Sequence, residues 1–332
     1  MTNPDHRVTR LTVPPTRPRT RARMLVLLVC LAVLPIAVGS VPSGLSPASA
    51  APASHLAPPV GTGSAPAYGA VAHRRSAAKP VATAPAWVLT WADEFNGTTA
   101  GAAPDPTKWV ADVGGHGWGN QQLEYDTAGA ANAFLSGHGV LVMRAQKGAN
   151  PYTCWYGPCT YTSSRITTKG RFAQAYGRFE ARMRIPCGAG LWPAFWALGN
   201  DIDTVGWPAS GEIDVMENIG REPSTVHGTV HGPGYSAGSA ITGSLTLASR
   251  LCDAYHVYSS TWTPTTISFA VDGTTYRTIT TADTAGRTWV FQHPYFLLLD
   301  LAVGGTWPGS PNASTVFSAV MTVDYVRVYR AA

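Results

Sequence analysis

The chain has 332 residues, 45% of them hydrophobic and 13% charged, with a formal net charge of +5. That positive balance is local: nine of the 24 Lys and Arg precede residue 86, against a single acid, Asp5, out of 19 Asp and Glu. From residue 86 onward 15 basic side chains face 18 acidic ones, a net of −3, which removes the main support for a nucleic-acid-binding role.

In chain order, residues 1–23 carry six Arg, and residues 24–38, MLVLLVCLAVLPIAV, form an apolar run too short to span a bilayer comfortably. A small-residue stretch ending in Ala48-Ser49-Ala50 follows. A basic leader, a short apolar centre and an A-x-A site predict a secretory signal peptide over residues 1–50, cut after Ala50, rather than a membrane anchor. The mature protein is expected outside the cell, with no membrane attachment after cleavage. Residues 51–85 are rich in Ala, Pro, Gly and Ser and predict a disordered linker. All 11 Trp lie at or beyond Trp87, so the folded unit is expected over residues 86–332 as one domain.

Cys30 falls in the leader, leaving Cys154, Cys159, Cys187 and Cys252. An even number in an exported chain favours disulfides, and the spacings do not suit zinc. Cys154–Cys159 is the expected pair across the local loop CWYGPC, with Cys187–Cys252 as the second.

Within the domain, period two dominates. In GRFEARMRI, Phe179, Ala181, Met183 and Ile185 alternate with Glu180, Arg182 and Arg184, the pattern of a strand with one core face. Ile267, Phe269 and Val271 lead into Asp272-Gly273, a hairpin signal. FLLLDLAV and MTVDYVRVY read as apolar on both faces, as central strands of packed sheets are. Frequent Gly and Pro, with no long helical periodicity, predict an all-β sandwich or barrel.

The stretch Gly211–Asn218, GEIDVMEN, places three acids among residues that suit a buried strand. Residues i and i+2 of a strand share a face, so Glu212 and Asp214 point together while Ile213 and Val215 point to the core. Glu217 is three steps on and would face away, unless a β-bulge near Met216 restores it. Two carboxyls on one face can hydrolyse a glycosidic bond with retention, one attacking as an anion and the other holding a proton. A third acid helps to separate their pKa values. The expected roles are Glu212 as nucleophile, Glu217 as general acid and then base, and Asp214 as hydrogen-bond partner of the nucleophile. The competing reading is an edge strand with a solvated acidic face. Aromatic surroundings favour the first: LWPAFW precedes the acids, and Trp118 and Trp307 lie in Gly-rich loops, where an indole suits the flat faces of sugar rings.

GEIDVMEN with LWPAFWALG before it and VHGTVHGPGYS after it resembles glycoside hydrolase family 16, in the branch of bacterial endo-β-1,3-glucanases (laminarinases). The likeness extends through WADEFNG, GWGNQQLEY, SSRITTKGRF, YGRFEARMRIP, HPYFLLLDLAVGGTWPG and VDYVRVY. The resemblance implies a β-jelly-roll of two curved antiparallel sheets with a concave substrate cleft. It implies substrate contacts from Trp118, Asn120, Arg165, Trp192, Trp196, His231 and Trp307, with Arg165 and His231 hydrogen-bonding sugar hydroxyls. No cofactor is implied for catalysis. A structural Ca²⁺ is implied, held by the carbonyls of Glu94 and Gly139 and the carboxylate of Asp324. The implied partner is a β-glucan polysaccharide, acted on by a monomer.

Two features depart from that pattern. Where the branch commonly reads N-x-E-L-Q, this chain has Asn120-Gln121-Gln122-Leu123-Glu124, with acid and amide exchanged. The loop Tyr152–Tyr161, with its Cys pair, reads as a local insertion. The leading expectation is a secreted endo-acting β-1,3-glucan hydrolase. The alternatives are a mixed-linkage β-1,3-1,4-glucanase and a non-catalytic glucan-binding module, the latter disfavoured because both glutamates are present. Agarase or carrageenase activity is disfavoured by the lack of an added basic cluster.

Overall fold

The computed structural model describes residues 86–332; the signal-peptide and linker expectations lie outside the described residues. Alternating polarity becomes strand after strand. In Gly177–Arg184, Phe179, Ala181 and Met183 are buried on one face. Thr266–Val271 and Thr274–Thr280 form the expected hairpin, and its two turn residues, Asp272 and Gly273, both have positive φ (49° and 79°). That is the backbone a two-residue turn of this hand requires.

The strands form a ten-stranded and a seven-stranded sheet, with a two-stranded ribbon beside them. The seven-stranded sheet runs in the order Ile241–Thr246, Thr225–His231, Glu212–Glu217, Leu191–Gly199, Tyr295–Val303, Arg165–Thr167, Val110–Asp112. Its pairs are all antiparallel. The larger sheet contains one parallel pair, Glu124–Asp126 with Tyr161–Ser163. Among the described residues the only α-helix is the four-residue Ile202–Val205.

One core cluster joins the two sheets: Phe179, Ala181 and Met183 from the larger pack with Phe195, Ile213, Val215, Leu297 and Leu299 from the smaller. Tyr295–Val303 is buried along its whole length, as its two-sided apolar pattern predicts. Its Leu297 and Leu299 face the core, whereas Phe296 and Leu298 form a second small cluster with Leu198 on the other face. The expectation for MTVDYVRVY is corrected. Ala319–Ala331 alternates buried with half-exposed residues, because only one side of the larger sheet is covered. Both disulfides form as expected, Cys154–Cys159 and Cys187–Cys252.

The strand Glu212–Glu217 carries a bulge. Asp214 pairs with Trp196 on one neighbour and Met216 with Phe195, which leaves Val215 as the extra residue. On the other neighbour, Asp214 pairs with Thr229 and Glu217 with His227, three residues against two. Val215 and Met216 consequently both enter the core, and Glu217 returns to the face of Glu212 and Asp214. The register then aligns Asp112, Arg165, Asp300, Ala194, Glu217 and His227 across six adjacent strands, with Asp214 and Glu212 in the neighbouring rows.

Candidate active site

The three acids of the bulged strand lie on the outer face of the seven-stranded sheet, in unequal surroundings. Glu212 is half-buried, and its Oε2 accepts a hydrogen bond from Trp207 Nε1 at 2.6 Å. Asp214 is only 2% exposed. Burial first, and the charge of Glu212 second, push its carboxyl well above the usual range. His231 Nε2 stands 3.0 Å from Asp214 Oδ2. His231 Nδ1 accepts the backbone N–H of Ala237 at 3.1 Å, so the ring proton sits on Nε2.

Glu217 is 8% exposed. Burial, reinforced by the charge of Asp214, raises its pKa well above that of a free carboxyl, against the opposing hydrogen bond from Trp192 Nε1 to Oε1 at 3.1 Å. Trp192 in turn meets Trp307 edge-on at 5.5 Å between ring centroids, and His227 packs on Trp307 at 5.0 Å. One strand therefore presents a half-buried Glu212 and a buried Glu217 whose carboxyl is raised toward its protonated form. Unequal environments of this kind for two carboxyls on one face are what retaining glycoside hydrolysis uses.

A second group lies further along the row. The Arg165 guanidinium sits between two indoles, 4.3 Å from the Trp118 ring and 4.7 Å from that of Trp196. Its Nε bonds Asp112 Oδ2 at 3.0 Å, and Trp196 Nε1 donates to Asp300 Oδ1 at 2.7 Å. Asp300 is pushed up to about 6 by burial, with Arg165 holding it down. Asn120 joins the loops: its carbonyl accepts the N–H of Thr306 at 2.8 Å, next to Trp307. The sequence-derived residues thus form two aromatic groups, Trp192 with Trp307 beside Glu217, and Trp118 with Trp196 around Arg165. His231 belongs to neither group and stands beside Asp214, with Nε2 3.0 Å from Oδ2.

Trp207, Asp300 and His227 are missing from the sequence-derived set. Trp207 was within reach of the criterion used for Trp118 and Trp307, a Trp beside Gly in a loop. Asp300 is the one acid in an apolar two-faced strand, the same signal as in GEIDVMEN. His227 gave no signal, since only the bulged register sets it opposite Glu217.

Glu212, Asp214 and His231 offer donor atoms within 4.8 Å of one another. With Nδ1 accepting the Ala237 N–H and the proton on Nε2, His231 has no free nitrogen lone pair for a metal. The calcium expectation concerns the other sheet. Among the described residues, the carbonyls of Glu94 and Gly139 accept no hydrogen bond, and Asp324 keeps Oδ1 free while Arg182 holds Oδ2 at 2.7 Å. Free oxygens are the donors a calcium ion takes, while the Arg182 guanidinium already offsets the charge of Asp324.

The family model for glycosyl hydrolases family 16 matches residues 120–327. The chain belongs to this family. A beta-glucanase of Rhodothermus marinus is 43% identical over 258 residues, 74% of this chain and 86% of that protein. Among solved structures, the endo-beta-1,3-glucanase of Pyrococcus furiosus superposes with a TM-score of 0.70 at 43% identity, covering 74% of this chain and 95% of that one. The laminarinase catalytic domain of Thermotoga maritima gives 0.69 at 42% identity, covering 74% and 99%. The two-sheet sandwich is accordingly the jelly roll of family 16, and the chain is a glycoside hydrolase of the endo-1,3-β-glucanase group.

Proposed function

We propose that the domain hydrolyses β-1,3-glucan internally and with retention of configuration, using Glu212 and Glu217. The observation that carries this reading is the bulge, which sets a half-buried Glu212 and a buried Glu217, its pKa raised by burial, on one face. Glu212 attacks the anomeric carbon as a carboxylate. The bond to the leaving oxygen breaks, and that oxygen takes the proton of Glu217. Glu217, now ionised, removes a proton from water; the water oxygen displaces Glu212 and restores both groups. Asp214 lies between the two glutamates on the same face, and the burial and crowding of acids there disfavour a negative charge on Glu217, which favours its reprotonation. Arg165 and the indoles of Trp118, Trp192, Trp196 and Trp307 hold the sugars, through hydroxyl hydrogen bonds and flat apolar contact.

The relatives named above as endo-beta-1,3-glucanase and laminarinase support the β-1,3 linkage over a mixed one. The test is release of reducing sugar from laminarin, lichenan and barley glucan by the wild type and by Glu212→Gln. Wild-type activity highest on laminarin, abolished in the variant, is expected. Preference for the mixed-linkage polymers overturns the linkage, and binding without release overturns the hydrolase. Residues 1–50 are read as an export leader, and the site is complete within one chain, as a monomer requires. Glu94, Gly139 and Asp324 would hold a calcium ion that braces the fold and takes no part in the chemistry.

A further inference from the structure

The hydrolytic reading makes no use of the insertion around Cys154–Cys159, yet that segment is firmly built. Thr153–Cys154 and Gly157–Pro158 pair as a small ribbon closed by the disulfide. It is fastened to the loop that carries Trp118. Trp155 donates its backbone N–H to Gly115 O at 2.8 Å and its Nε1–H to Gln122 O at 2.7 Å, and Tyr156 Oη donates to Leu123 O at 2.6 Å. Contact with the loop is close: a Cβ on Gly117 would lie 2.9 Å from the Trp155 ring.

Trp155 is nevertheless 50% exposed. Its one polar atom is already bound to protein, so the surface left to solvent is indole carbon. Of the tryptophans in the described residues, only Trp155 and Trp207 are exposed to this degree, and Trp207 (46%) sits on Glu212. The position of Trp155 is equally specific. From Glu217 the row crosses Ala194, Asp300 and Arg165 to Asp112 on the edge strand, four strand spacings or roughly 19 Å. Past Asp112 the chain continues to Gly115, which holds Trp155. A polymer lying along this row passes Trp196 and Trp118 and leaves the sheet where the ribbon stands.

We propose that the Cys154–Cys159 ribbon adds a distal sugar-binding subsite, in which a pyranose ring of the glucan stacks on the exposed face of Trp155. This rests on the glucan reading above and extends it: the insertion lengthens the stretch of polymer the enzyme grips. A rigid indole suits the task because stacking it on a sugar costs little further side-chain order.

The experiment separates the two readings. In the Glu217→Gln background, affinity for β-1,3-linked oligosaccharides of increasing length is measured by titration calorimetry, with Trp155 intact, Trp155→Ala and Trp155→Phe. Kinetics on laminarin are run in the active background, and melting midpoints on every protein. The expected result is that Trp155→Ala weakens binding of long oligosaccharides about tenfold more than of short ones and raises the laminarin KM similarly. Trp155→Phe, which loses the bond to Gln122 but keeps a ring, should recover most of that loss. A length-independent loss, no loss, or a Phe variant as weak as Ala overturns the subsite and leaves the ribbon as a brace for its loop. Failure of the wild type on laminarin strikes instead at the glucan reading, and the subsite falls with it.

Discussion

Trp207 donates its indole N–H to Oε2 of Glu212 at 2.6 Å, across a loop of only four intervening residues. The hydrogen-bond partner of Glu212 is thus an exposed side chain on the segment that enters the bulged strand. A hydrogen bond to a charged group contributes about 1.5–3 kcal/mol, and in the proposed mechanism this one would fix which oxygen of Glu212 attacks. Trp207→Phe is expected to lower kcat/KM on laminarin by roughly ten- to a hundredfold with little change in melting midpoint, the ring being half in solvent. Unchanged kinetics would show that Glu212 is oriented without it.

The rates should fall on the alkaline side as Glu217 loses its proton. Trp192 Nε1 donates to the Glu217 carboxyl and favours its charged form, opposing the burial that raises its pKa. Removing the donor lets the pKa climb further, so Trp192→Phe, though less active, should keep its activity to higher pH than wild type. Profiles of kcat/KM against pH test the sign; an alkaline limb moved to lower pH contradicts the role given to Glu217. Glu217→Gln itself should be almost inactive on laminarin yet retain more activity on an aryl glycoside whose leaving group needs no proton.

Much of this site was legible because strand geometry is strict. A spacing of three between Asp214 and Glu217 fits one face only if a residue is inserted, and the register shows that insertion at Val215. The alternation in Phe179–Ile185 and the two-sided run at Tyr295–Val303 also became what they read as. What escaped depends on distant contacts. Trp207 becomes part of the site through the path of its loop, and His227 through the register shift. Trp118 and Arg165 could each be named from the sequence, but their stacking joins a Gly-rich loop to a strand about 50 residues on. MTVDYVRVY misled because Val and Tyr suit either face of a strand, and only the covered side of the sheet decides.

The two disulfides should differ in weight. Cys187–Cys252 links residues 65 apart, and Cys154–Cys159 residues five apart. Loop-closure entropy in the unfolded chain gives about 4 kcal/mol for the first and about 2 kcal/mol for the second. Replacing both cysteines of the long pair by Ser should lower the denaturation midpoint more than the same change in the short pair. Equal losses would mean that native packing of the Trp155 ribbon outweighs chain entropy.

Calcium, if held by Glu94, Gly139 and Asp324, lies on the strand system of the larger sheet and away from the acids. Chelation with EDTA is expected to lower the melting midpoint by several degrees and leave kcat at assay temperature unchanged, with recovery on adding calcium. Asp324→Asn should abolish that response. A midpoint indifferent to EDTA removes the ion from the account.

Glu124, the acid at the exchanged position of the NQQLE stretch, carries the last prediction. It is buried, its Oε2 accepts the N–H of Val303 at 2.7 Å, and its Oε1 has no partner among the described residues. Burial raises its pKa from 4.5 to about 8, against the Val303 bond, and Asp126 and Asp300 beside it are raised in the same sense. A carboxyl whose folded pKa exceeds its unfolded one binds its proton more tightly when folded. The stability it contributes is whole below about pH 4.5 and drains away as pH rises to about 8. The domain should therefore melt at a higher temperature at pH 5 than at pH 8. Glu124→Gln keeps an acceptor for Val303 and stays neutral, so it should melt a few degrees above wild type at pH 8 and show a shallower dependence between the two. A variant with the wild-type slope would place the titration elsewhere, on Asp126 or Asp300, and the corresponding Asn variants would locate it.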